Sequence, residues 1–242
     1  MIVLSKKRLL LITSMVLVSL FVFVFQTVRV DNNSSTVPTV ALPVSNKVIV
    51  LDAGHGIPDE GAQSSNGTTE AQTNLKIALK VQNLLEQSGA TVILTRSDEN
   101  AIYDLDSKTL KEKKISDIHN RVKIGNENSA DIFVSIHLNK IPQNQYWGWQ
   151  CFYKDGNEQS TKLAKSLQSN LNESIQKENK RVAMKLDTVY IMKHVEVPIS
   201  IVECGFLSNP KDMEDLQQEK YQGMLAFLIT VSLMEYEHAP QG

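Results

Sequence analysis

The sequence predicts one α/β domain on a mostly parallel, twisted sheet of about six strands, flanked by helices and preceded by an N-terminal transmembrane or signal segment. Three observations predict it. Apolar runs of strand length alternate with stretches whose apolar residues recur at helical spacing, the pattern of βα units. Most of the strand runs are continuously apolar, as in strands buried on both faces of a parallel sheet. At the N-terminus, Lys6, Lys7 and Arg8 precede a charge-free stretch from Leu9 to Val28.

That stretch of about 20 residues would make a helix about 30 Å long, enough to cross a bilayer. The exit Phe25-Gln26-Thr27-Val28-Arg29-Val30 lacks the small residues of a cleavage site, which favours an uncleaved signal-anchor over residues 1–30 against a cleaved signal peptide. The basic flank keeps the short tail inside and exports the rest. Residues 31–46, polar with two prolines, read as a flexible linker. The folded domain is expected over 47–239.

Within the domain, Lys47–Asp52 is an apolar strand. Glu70–Ser88 carries Leu75, Ala78, Leu79, Val81, Leu84 and Leu85 near helical spacing and stops at Gly89. Thr91–Thr95 reads as a strand and Ile115–Asn128 as a helix with Ile118, Val122 and Ile124. Strands follow at Asp131–Ile136 and Gln150–Tyr153, then a helix at Glu158–Ile175 with Leu163, Leu167 and Leu171. Thr188–Met192 and Ile199–Cys204 are expected strands, and Gln218–Glu237 is the closing helix.

Composition excludes several classes. A net charge of −2 with well-mixed signs offers no basic face for nucleic acid. The two cysteines, Cys151 and Cys204, provide neither a disulfide framework nor a thiolate cluster, so a metal would have to use histidine and carboxylate.

Such ligands occur where the predicted strands end. His55 lies between Gly54 and Gly56, His137 ends an apolar run, and Glu70 opens a helix after the loop 64–69. Two imidazoles and one carboxylate form the ligand set of a catalytic zinc site that keeps its fourth position for water. Glu203 ends another apolar run and suits a base that takes a proton from such a water. The structural alternative for Glu203 is a buried ion pair with Arg96 or Arg121. Arg96 can bind a substrate carboxylate or support the sheet edge. Asn139 can hydrogen-bond substrate or cap its loop. Trp147 and Trp149, flanking Gly148, fit either sugar stacking or packing. In open sheets such groups gather at the carboxyl ends of strands.

These stretches resemble the zinc-dependent N-acetylmuramoyl-L-alanine amidases of bacterial cell walls. The matching segments are Val50–Gly56, Glu70 with Asn74-Leu75, Leu94-Thr95-Arg96, Val134–Asn139 and Ile201–Pro210. The resemblance implies that His55, Glu70 and His137 hold Zn2+, that Glu203 is catalytic, and that the substrate is the amide between N-acetylmuramic acid and L-alanine in peptidoglycan. Ala53 stands where the family usually has proline, which affects no ligand. The N-terminal apolar segment, the insert Asp98–Ser116 and Ile136-His137-Leu138-Asn139 are similar to the germination-specific branch. That branch implies an exported enzyme, membrane-anchored or secreted, on the cortex side of the forespore, where it prepares muramic-δ-lactam. A regulatory protein partner is expected as well. Two alternatives use the same residues: a zinc peptidase of the stem peptide, and a non-catalytic, membrane-tethered wall-binding protein.

Overall fold

The sheet has six strands: β1 (Val48–Ala53), β2 (Thr91–Leu94), β3 (Ile132–Asn139), β4 (Gln150–Tyr153), β5 (Met184–Lys185) and β6 (Ile199–Phe206). Their order is β2-β1-β3-β6-β4-β5. β2, β1, β3 and β6 are parallel; β4 runs antiparallel to β6, and β5 parallel to β4. This computed structural model describes residues 15, 19, 41–175 and 178–239. The signal-anchor expected over 1–30, apart from residues 15 and 19, and the linker over 31–40 lie outside them. Among the described residues, no helix is long and apolar enough to cross a membrane.

Among the described residues six helices cover the sheet: α1 (Glu70–Gln87), α2 (Leu110–Glu127), α3 (Glu158–Ser174), α4 (Tyr190–His194), α5 (Pro210–Leu216) and α6 (Glu219–His238). One sheet face presents Ile49, Leu51, Val134, Ile136 and Val202 to α1, α3 and α6, where Ile77, Val81, Leu167, Leu225 and Ile229 complete the larger core. The other face presents Val50, Phe133, Ile199 and Ile201 to Val122 of α2 and to Ile191 and Met192 of α4. Both faces are therefore covered, which explains why the central strands read as continuous apolar runs.

Four details depart from the sequence reading. Residues 41–46 pack on the domain rather than extending the linker. Val44 is fully buried in the larger core, so the folded unit begins at Ala41. α2 starts at Leu110 rather than Ile115. Its first turn is exposed and carries no apolar period, but a capping box between Thr109 and Glu112 fixes the start. The run Thr188–Met192, β-branched and aromatic, is not a strand. Its second half forms α4, which buries Ile191 and Met192, and the edge strand is instead the exposed pair Met184–Lys185. Helix α5 was not expected. Asn209 caps it by accepting from the Lys211 and Asp212 amides, and Pro210 occupies its first turn.

Register sets the functional edge. Asp52 pairs with Ser135, and His137 with Glu203, which also pairs with Gln150 across the antiparallel junction. The carboxyl ends of β1, β3 and β6 thus lie side by side.

Candidate metal centre

The chain leaves β1 through Gly54 into His55, whose φ is +63°, a left-handed conformation that non-glycine residues seldom adopt. Neighbouring groups hold it there. Arg121 reaches from α2, donating from Nη1 to the Ala53 carbonyl (2.8 Å) and from Nη2 to that of His55 (2.6 Å). Arg96 donates from Nε to Ala53 O (2.8 Å), and from Nη2 to Gly54 O (3.1 Å) and Ala71 O (2.8 Å). Asn74 donates to Gly54 O at 3.1 Å. These bonds tie the histidine loop to the first turn of α1, which carries Glu70.

Glu70 is buried and its carboxylate is fully used. Oε1 lies 2.9 Å from His137 Nδ1 and 3.4 Å from His55 Nε2, and accepts from the Leu138 amide at 3.1 Å; Oε2 accepts from the Ala62 amide at 3.0 Å. One ligand atom from each of His55, Glu70 and His137 lies within 4.8 Å of the others. The imidazoles meet edge to face, with centroids 5.1 Å apart. Ligand atoms about 2.0–2.1 Å from a tetrahedral zinc lie about 3.3 Å from one another. The 2.9 and 3.4 Å separations therefore suit one such ion. Hard carboxylate and borderline imidazole donors also match that metal.

Two glycines make the convergence possible. A Cβ on Gly54 would lie 2.3 Å from His137 Nε2, and one on Gly61 would lie 2.6 Å from Glu70 Oε2. Gly54→Ala is therefore expected to displace the His137 ring and strip bound metal while the apolar core stays intact. Metal content per chain, measured beside far-ultraviolet circular dichroism, checks this; full metal occupancy in the variant would refute it.

The electrostatics are those of a cation site. Burial would raise the Glu70 carboxyl, but His137 and His55 outweigh it and hold the group ionised well below the usual carboxylate range. Burial works against charging His55, yet Asp59 and Glu70 raise its pKa to about 9. Asp59, held down to about 2 chiefly by His55, lies 3.5 Å from His55 Nδ1 and 2.9 Å from Lys114 Nζ. It orients the imidazole from behind, as carboxylates behind metal-bound histidines do.

Glu203 faces the same cavity of about 340 Å³, lined also by His55, His137, Gly54, Asp52 and an apolar wall that includes Ile201 and Val189. Its Oε2 is buried and has no hydrogen-bond partner among the described residues. Burial pushes its pKa up to about 7, and the Glu70 charge adds to this against the pull of the histidines. Neither arginine pairs with it. Arg121 binds Asp52 (2.5 Å) and Asp117 (2.8 Å), and Arg96 binds backbone carbonyls. The ion-pair alternative for Glu203 is thereby removed, and its carboxylate stands available for proton transfer.

The structure assembles His55, Glu70, His137 and Glu203 and leaves two other candidates out. Arg96 is 3% exposed and points inward, so it supports the sheet edge instead of meeting a substrate carboxylate. Asn139 lies past a register shift after His137 and accepts from the Leu207 amide through its backbone carbonyl at 2.8 Å. Neither lines the cavity. Asp59, Lys114 and the Asp52–Arg121 pair were missed as site residues. Only Asp59, four residues past His55, gave a local signal.

Known proteins resemble this chain along most of its length. Residues 49–235 match the family described as N-acetylmuramoyl-L-alanine amidase. The germination-specific N-acetylmuramoyl-L-alanine amidase of Bacillus subtilis (strain 168) is 34% identical over 91% of this chain and 90% of its own length. The CwlD amidase from Clostridioides difficile, solved in complex with the GerS lipoprotein, superposes with a TM-score of 0.77. It shares 40% identity over 79% of this chain and 98% of that one. An N-acetylmuramoyl-L-alanine amidase from Clostridium difficile 630 has a TM-score of 0.70 at 27% identity, covering 82% of this chain and all of its own.

Proposed function

We propose, from the premise that this chain belongs to the N-acetylmuramoyl-L-alanine amidase family, that it hydrolyses the amide joining the lactyl group of N-acetylmuramic acid to L-alanine in peptidoglycan. One observation carries the reading: His55, Glu70 and His137 converge beside a buried carboxylate oxygen of Glu203 that no group among the described residues satisfies.

His55, Glu70 and His137 would hold Zn2+. When bound there, zinc supplies Lewis acidity toward the amide carbonyl and makes water nucleophilic near neutral pH. The protein's own groups do the rest. Glu203 takes the proton of the attacking water and returns it to the departing alanine nitrogen. Asp59 and Glu70 keep the His55 ring in place. Arg121, Arg96 and Asn74 fix the loop that carries it. Ile201, Val189 and Ile118 give the cavity an apolar wall.

The setting belongs to the same reading. The relative named for germination supports a role in maturing the spore cortex, where removal of the peptide precedes muramic-δ-lactam formation. The charge-free segment Leu9–Val28 supports export and membrane anchoring. The solved relative in complex with a lipoprotein supports a regulatory protein partner.

Digestion of purified peptidoglycan by the full-length protein, with zinc and with chelator, tests the activity. Zinc-dependent release of peptides with free N-terminal alanine, leaving peptide-free muramic acid, is expected. New ends within the stem peptide would replace the amidase with a peptidase.

A further inference from the structure

Three surface hollows lie side by side along the edge that carries the metal centre, and none of them is used by the chemistry above. The first, about 430 Å³, lies between Ser64-Ser65 and Lys140, with Ser208 and Pro210 as its far wall. The second, about 390 Å³, begins on the other side of that wall at Asn209 and Lys211 and ends on Trp147. The third, about 340 Å³, starts from the same Trp147 and runs to Tyr146, Asn179 and Arg181. The second and third share Trp147 and Glu178, and the first meets the second across the consecutive residues Ser208 to Lys211, so we read the three as one elongated track.

Their position relative to the chemistry follows from register. Gln150, three residues after Trp147, pairs with Glu203, which pairs with His137. Lys140 follows β3 directly, and Ser208 follows β6 by two residues. The track is therefore built from the loops that leave the two strands bearing His137 and Glu203, and from the loop that enters β4.

The backbone on both sides of Trp147 is held in place. Its carbonyl accepts from Arg181 Nη1 at 3.3 Å, and the following Gly148 amide donates to Asp212 at 2.6 Å. Asn209 Nδ2 ties the same loop down through Asn144 O at 2.9 Å, and Asn179 Nδ2 through Trp149 O at 2.8 Å. The two tryptophans of Trp147-Gly148-Trp149 thus divide their roles. Trp149 is fully buried and donates from Nε1 to Asn172 at 2.7 Å, whereas Trp147 stays half-buried between two hollows. An aromatic side chain on a loop held in this way, bordered by amide, ammonium and carboxylate groups, suits the apolar face and hydroxyl rim of a sugar ring. It suits a flat apolar partner poorly, because polar side chains line both sides.

We propose that this track, centred on Trp147, binds the saccharide chain of peptidoglycan while the amide is cut at the metal centre. The proposal rests on the amidase reading for the identity of its ligand, but not for its test. The probe is peptide-free glycan strands, which contain no scissile amide. Binding of the full-length protein is measured with chelator present, so turnover plays no part.

Wild-type protein is expected to bind the strands saturably. Trp147→Ala should weaken that affinity about tenfold, the scale of one lost aromatic contact, and Trp147→Phe should restore most of it. Tyr146→Ala, at a side chain 45% exposed, should cause a smaller loss and carries the test if the Trp147 variant does not fold. Failure of wild-type protein to bind, or equal affinity in folded variants, overturns the track. Binding without amide cleavage would overturn the amidase reading alone; cleavage without strand binding would overturn the track alone.

Discussion

Glu203→Gln is expected to lower turnover on peptidoglycan by about 10²–10⁴-fold, the contribution of a positioned general base, while bound metal and fold are retained. Glutamine keeps the shape of the side chain but cannot accept the water proton. Glu203 is not one of the clustered residues His55, Glu70 and His137, which predicts unchanged metal content. Two pH effects accompany the loss. In the wild type, burial holds the Glu203 pKa up to about 7 before any cation is added. The base form is therefore lost as pH falls through that region, giving an acidic limb to kcat/KM that a cation at the triad would move lower. Stability behaves in the opposite sense. Because the folded pKa exceeds that of the unfolded chain, the folded state binds more protons between about 4.5 and 7, and stability falls as pH rises through that window. Glu203→Gln removes this dependence, so the metal-free variant should gain stability at pH 7 relative to wild type. Steady-state rates, metal analysis and denaturant midpoints at pH 5 and pH 8 check all three. Wild-type turnover in the variant would take Glu203 out of the mechanism.

The four residues that the structure brings together were legible because each sits where a periodic pattern breaks. His55 interrupts glycines, His137 and Glu203 end apolar runs, and Glu70 follows a Ser/Thr/Asn/Gly loop. A parallel sheet brings such ends together whatever their separation in sequence. The four long helices and five of the strands were legible for a related reason: burial against a sheet covered on both faces writes a helical period into the helices and continuous apolar runs into the central strands. Elements with little to bury were not. The pair Met184–Lys185 is exposed and too short to alternate, and the first turn of α2 is solvated, so neither writes a pattern. Thr188–Met192 misled because β-branched and aromatic residues suit a strand locally, while packing of Ile191 and Met192 against Phe133 and Ile199 decides the matter in favour of a helix. The supports of the site were hidden for a third reason. Arg121 acts on His55 from 66 residues away, through a backbone carbonyl that carries no residue identity.

That remoteness makes Arg121 the most informative residue to remove for stability. Arg121→Met is expected to destabilise the fold by about 3–5 kcal/mol, the range for breaking one side of a buried ion pair. The side chains of Arg121 and Asp52 are 2% and 1% exposed, with Nη1 2.5 Å from Oδ1. Burial alone would raise the Asp52 carboxyl, but Arg121, and then the Ser135 hydroxyl, hold it below the ordinary value. Its contribution is therefore present above about pH 4 and is lost as pH falls through the lowered pKa. Methionine fills similar volume but leaves Asp52 with only the Thr95 and Ser135 hydroxyls, at 2.7 and 2.6 Å. The cost thus arises from an unneutralised charge more than from lost packing. A second change discriminates. Asp52→Asn on the Arg121→Met background removes the stranded charge and should recover a large part of the loss, so the double variant should be more stable than the sum of the single costs requires. Strict additivity in denaturant unfolding would mean that the two groups are not coupled. The same arginine bonds the His55 carbonyl in its left-handed conformation. Metal affinity in the double variant should therefore stay below wild type even where stability returns, because neutralising Asp52 restores the charge balance of the core but not the donor that fixes the ligand loop.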